Sequence, residues 1–138
     1  MAFTPRLNSQ QATAAQELAD LAALDAVRTA SEWFRTHEDQ LADWQLELAR
    51  IPAPPFGEAQ RADWLRSRLR DLGLNDVRLD EIGNVVAVRP GRSRQRYVAV
   101  SAHLDTVFPA GTSLKVYRDG KRLFGPGISD NGAGVTAI

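Results

Sequence analysis

The run Val98-Ala99-Val100-Ser101-Ala102 does most to limit what this chain can fold into. Small and β-branched residues without polar alternation predict a strand buried on both faces, and such strands belong to sheets covered by helices. The run delivers His103-Leu104-Asp105-Thr106, and the glycine-rich segment Gly125-Pro126-Gly127-Ile128-Ser129-Asp130-Asn131-Gly132-Ala133-Gly134 follows. Sheets of this class place their chemistry at the carboxyl ends of the strands, so both segments are candidate site elements. His103 and Asp105 share a side if strand geometry continues, which lets one bind a metal while the other orients it.

Composition narrows the chemistry further. A length of 138 residues with 43% hydrophobic content is enough for one domain with its own core. Lys plus Arg and Asp plus Glu balance at 17 each, so no whole-protein field gathers nucleic acid or an anionic membrane. Cysteine is absent, which removes disulfides, thiolate zinc sites and a cysteine nucleophile. His, Asp and Glu remain as ligands, a set suited to hydrolytic metal chemistry. The segment Met1-Ala2-Phe3-Thr4-Pro5-Arg6 lacks the pattern of a secretion signal, and no apolar run approaches the roughly 20 residues of a membrane helix. The expected location is cytoplasmic. Gly134-Val135-Thr136-Ala137-Ile138 reads as the opening turn of a buried helix that is cut off, so a truncated chain is expected.

Residues 1–50 read as an amino-terminal helical arm. From Ser9 to Arg50 the sequence is rich in Ala, Leu, Glu and Gln without Gly or Pro, which predicts two helices or one long bent one. Leu18, Leu21, Leu24 and Val27 form one apolar stripe, and Trp33, Phe34, Leu41, Trp44 and Leu48 form another, with Ser31 a candidate N-cap between them. These faces are expected to pack on the rest of the molecule, with oligomerisation through the arm left open.

Residues 51–138 mix helix and strand signals. Ile51-Pro52-Ala53-Pro54-Pro55-Phe56-Gly57 is a loop, because proline lacks the amide donor and restricts its predecessor. Glu58 then opens a helix with Ala62, Leu65, Leu69 and Leu72 on its apolar face, Arg61, Arg66, Arg68 and Arg70 on its solvated face, and Gly73 at its end. Val77–Asp80 and Val85–Val88 around the turn signal Gly83-Asn84 predict a hairpin. Pro90–Arg96 is a basic surface loop, and a second short hairpin is predicted around Asp119-Gly120. The expected fold is α/β, a mixed sheet flanked by helices behind the helical arm.

His103-Leu104-Asp105-Thr106 together with the Gly125–Gly134 segment resembles the paired metal-site signature of the M20 family of zinc-dependent metallopeptidases, which includes carboxypeptidases, dipeptidases, peptidase T and the aminoacylases. Ile51-Pro52-Ala53-Pro54 ahead of Glu58, and Asp80-Glu81-Ile82-Gly83-Asn84-Val85, are similar to the loop and first hairpin of the same catalytic domain. The resemblance runs from about Leu46 to Ile138 and implies that residues 51–138 are the amino-terminal part of a metallopeptidase catalytic domain. It implies that His103 ligates one zinc and that Asp130 bridges two. Asp105, the candidate catalytic residue, would accept the other ring N–H of His103. Zn2+ is the implied metal, two ions per site in the complete protein, with Co2+ or Mn2+ as substitutes. The implied activity is hydrolysis of amide bonds in small peptides or N-acyl amino acids by water activated at the metal. A cis peptide at Asp130-Asn131 and a second, smaller lid or dimerisation domain in the parent, giving a homodimer, are implied too.

The family's general base is a glutamate from a Glu-Glu pair that follows the Asp-Asn segment, and this chain does not contain it. His37, Glu58 and Glu81 are poor substitutes, sitting in a helix face, a helix start and a turn. The fragment is therefore expected to be inactive alone. The other classes are a non-enzymatic interaction module or degenerate short relative, and a nucleotide-binding loop at Gly125-x-Gly127. Asp130 stands where the latter needs its third glycine and would repel a pyrophosphate.

Overall fold

The computed structural model describes residues 9–91, 93 and 95–138, with side chains from residue 13 onward. Met1–Arg6, and Arg92 and Arg94 of the basic loop, lie outside the described residues. The chain divides into two compact units, Met1–Asp39 and Gln40–Ile138.

The first unit holds α1 (Ser9–Ala23) and α2 (Asp25–Thr36). The break between them falls at Leu24, whose ψ of 133° leaves the helix. Asp25 occupies the first turn of α2 and Arg35 its last, each placed where the helix dipole favours its charge. Ser31, the expected cap, lies inside α2 instead. A cap residue must step out of the helix, and the strong helix formers on both sides of Ser31 keep it in. His37 Nδ1 lies 2.8 Å from the Trp33 carbonyl oxygen, which also accepts from the His37 backbone N–H at 3.0 Å, and the His37 ring stacks on Trp33 at 4.3 Å. Leu18, Leu21, Leu24, Val27, Trp33 and Phe34 are exposed.

α3 (Glu38–Ala49), most of which lies in the second unit, supplies Leu46, Leu48 and Ala49 to the interior. The proline loop follows, and α4 (Ala59–Asp71) opens after Glu58 as expected. Gly73, at φ 86°, ends it, with Gly73 N–H donating to Arg70 O (2.8 Å) and Leu74 N–H to Leu69 O (3.1 Å). Arg68 joins the two helices. Its guanidinium lies between the Trp44 and Trp64 rings, 5.7 and 5.4 Å from their centroids, and bonds Glu47 at 2.6 Å.

Both predicted hairpins form: β1 (Asp76–Leu79) pairs with β2 (Val85–Val88), and β3 (Tyr117–Asp119) with β4 (Arg122–Phe124). The first turn is organised by Asp80, whose carboxylate accepts from Ile82 N–H, Asn84 N–H and the Asn84 amide at 3.1, 2.8 and 2.8 Å. The Asn84 bonds hold its pKa below the usual carboxylate value. The ionised form therefore favours the folded hairpin. That contribution is present above the unfolded carboxylate pKa of about 3.9 and is lost as pH falls through the lower folded value. Thermal melts of Asp80→Asn and the parent should differ at neutral pH and converge under acid; a gap that stays constant with pH would overturn this account.

The strand expected at Val98–Ala102 pairs with nothing among the described residues, and Val98 and Val100 are 92% and 71% exposed. The mixed sheet is replaced by two separate two-stranded antiparallel sheets. The physical reason is that a doubly buried strand takes its burial from neighbours on each side, and here the four strands pair only within their own hairpins. Ala102 and Leu104, at the end of the run, do reach the core of Leu48, Leu65 and Val135, as do Trp64, Leu69 and Val85. The chain is thus mixed α/β, with α5 (Gly134–Ala137) closing the core through Val135. Among the described residues no helix is long and apolar enough to cross a membrane.

Candidate metal centre

His103, Asp105 and Asp130 come together. The His103 ring stands between the two carboxylates, Nδ1 3.0 Å from Asp105 Oδ1 and Nε2 3.0 Å from Asp130 Oδ1. Nδ1 also lies 3.1 Å from the Asp105 carbonyl oxygen, so the Asp105 side chain and main chain both face that nitrogen. Burial of the ring opposes its charged form, while hydrogen bonds first to Asp130 and then to Asp105 outweigh that, and the ring titrates above its ordinary value. The His103 and Asp105 side chains are about half exposed and Asp130 is 87% exposed, so the pair Nε2 and Oδ1 opens to solvent.

Asp130 is carried by an irregular turn, Ile128–Ala133, in which Asp130 and Asn131 leave helical geometry. The Asp130–Asn131 peptide is cis, as the M20 resemblance implies. Gly127 makes the entry to this turn feasible. It has φ 69°, and a Cβ there would stand 2.7 Å from Thr106 Cγ2. Gly132 N–H donates to Gly127 O at 3.1 Å, and Gln45 of α3 donates its amide to Ile128 O at 2.5 Å. On the other side Thr106 N–H donates to Ala53 O at 2.7 Å, which ties the His103 segment to the proline loop.

Arg61 was expected on the solvated face of α4, and the structure overturns this: it is 2% exposed. Its Nε donates to Ile51 O at 2.9 Å and its Nη1 to Leu104 O at 3.0 Å. Gln45 and Arg61 are the parts of the site that the sequence reading missed. The weak signal for Arg61 was its position one residue before Ala62, at the edge of the apolar stripe of α4 rather than opposite it.

The donor chemistry fits a divalent metal in part. At zinc bond lengths, two ligands on one ion stand about 2.9 to 3.4 Å apart for angles between octahedral and tetrahedral. The 3.0 Å between Nε2 and Oδ1 lies within that span, and a carboxylate holds the ring's other nitrogen, the usual support for a ligating imidazole. No group of three or more His, Cys, Asp or Glu suited to a metal occurs among the described residues. Beside these side chains runs a cleft of about 520 Å³ lined in part by Phe56, Ile82, Val100, His103 and Asp105.

Residues 84–138 match peptidase family M28. That family belongs to the same clan as the M20 zinc peptidases. The matched segment contains His103, Asp105 and Asp130. The chain is also 39% identical over 85 residues to a protein of Pyrobaculum aerophilum assigned as a LysW-lysine/LysW-ornithine hydrolase. That alignment covers 62% of this chain and 23% of the relative, so the chain spans about a quarter of the length of the relative it matches. Both similarities are to hydrolases.

Proposed function

We propose that this chain is the metal-binding portion of a zinc-dependent amide hydrolase of the M20 type, acting on small peptides or N-acyl amino acids. The convergence of His103 Nε2 and Asp130 Oδ1 to 3.0 Å, with Asp105 on the opposite ring nitrogen, carries the reading. His103 and Asp130 are the metal ligands. Asp105 accepts from Nδ1–H, leaving the Nε2 lone pair for the metal and raising its basicity. Asp130, the most exposed of the three, has room to bridge a second ion. Zinc, when bound, polarises an amide carbonyl and brings the pKa of water to near neutrality.

Two protein ligands are fewer than the roughly three of a catalytic zinc, so the remaining ligands and the general base come from elsewhere in a larger protein. The name of the Pyrobaculum relative supports a narrower form, hydrolysis of lysine or ornithine conjugates. A soluble cytoplasmic enzyme with a dimerisation domain is part of the same reading. The short donor list favours a second reading, an interaction module that keeps the fold without catalysis.

The test is calorimetric titration of the chain with Zn2+, followed by amide hydrolysis assays on the protein that contains it. Asp105→Asn should keep the fold and weaken zinc binding about 10- to 100-fold, the usual cost of losing a partner behind a ligating histidine. No zinc binding by the parent chain would sink the metal reading. Binding without hydrolysis in the larger protein would favour the interaction module.

A further inference from the structure

We infer that Arg61 is a positioning residue of the metal centre, its buried guanidinium holding the Leu104 carbonyl so that His103 and Asp105 keep their mutual alignment. The inference rests on the metal reading above. It begins from a cost. Burying a guanidinium takes a charge out of water at a cost, and well-packed apolar side chains commonly replace buried charged groups without loss of stability. Arg61 is nonetheless among the most completely buried large side chains described, together with Leu48. Burial lowers its pKa, opposed by the charge of Asp105. No carboxylate among the described residues forms an ion pair with it. Its bonds go to main-chain carbonyls instead.

The choice of carbonyls is informative. Leu104 O belongs to the residue that separates His103 from Asp105, so the bond from Nη1 fixes the backbone joining the two side chains. The second bond, from Nε to Ile51 O, anchors the same planar group to the start of the proline loop. Nη2 extends towards Gly127, where a Cβ would lie 3.7 Å from it, so the group also backs the turn that carries Asp130. One rigid fork therefore bonds the proline loop and the His103–Asp105 segment and stands beside the turn that carries Asp130. An apolar residue could fill this volume and bond neither carbonyl.

The test uses Arg61→Met and Arg61→Lys in the 138-residue chain. Circular dichroism reports folding, Co2+ titration with visible absorption reports affinity and ligand geometry, and long-range 1H–15N spectra of the metal-free chain report the two His103 ring nitrogens. Arg61→Met should remain folded, bind Co2+ about 10- to 100-fold more weakly with an altered visible spectrum, and shift the His103 ring-nitrogen signals from their parent positions. Arg61→Lys, which keeps the charge but not the fork, should recover only part of the affinity. If Arg61→Met does not fold, Arg61→Lys alone decides. Wild-type affinity and wild-type ring-nitrogen signals in a folded variant would overturn the inference and leave Arg61 as scaffold. A parent chain that binds no Co2+ overturns the metal reading instead, while the metal-free ring-nitrogen signals still test Arg61 by themselves.

Discussion

Replacing His103 by alanine should remove specific zinc binding from the chain and leave its fold intact. One of the two converging donors disappears, so the loss should exceed the roughly 100-fold that marks the upper range for a supporting partner. The His103 side chain is about half exposed and among the described residues bonds Asp105 and Asp130, so its removal should shift stability by about 1 kcal/mol or less. Asp130→Ala should behave alike, because its carboxylate supplies the other donor and is 87% exposed. In a larger protein that carries amide hydrolase activity, both substitutions should abolish it. Calorimetry and thermal melts on the same samples separate the two effects. Zinc affinity like that of the parent in either variant would mean that the 3.0 Å convergence is an ordinary histidine–carboxylate contact.

Leu48→Ala has the opposite signature. Leu48 is fully buried against Leu65 and Val135, and removing three of its carbons from such a site costs about 2–5 kcal/mol. Domains are stable by only about 5–15 kcal/mol, so the variant should show a large fall in its urea midpoint. Metal binding should weaken along with the fold. α3 carries Gln45 to Ile128 O, α4 carries Arg61 to Leu104 O, and the Leu48–Leu65 contact sets how those helices meet. A midpoint close to that of the parent would place the core of this unit elsewhere.

The site was legible where chemistry is local. His103, Asp105 and Asp130 were recognisable because an imidazole and two carboxylates in apolar or glycine-rich surroundings need partners, and the structure brings them together at 3.0 Å. Both hairpins and the glycine end of α4 were legible because turn chemistry acts over a few residues. The break at Leu24 was not, since no Gly, Pro or cap residue marks it. Arg61 was misread because helical spacing distinguishes faces by residue type, and an arginine scores as surface whether its head reaches water or a buried carbonyl. Gln45 carried no signal at all. Its partner, Ile128, lies 83 residues away.

Local bond patterns thus marked the helical segments and the turns in the sequence alone, and side-chain chemistry together with the family resemblance marked the candidate ligands. Only the tertiary structure decided that the Val98–Ala102 run pairs with no strand among the described residues and that the Arg61 side chain is buried and bonded to Leu104 O beside the candidate site. Strand pairing and burial depend on what other segments are present to supply neighbours and accept hydrogen bonds. That is a property of the packed chain, which no window of adjacent residues contains.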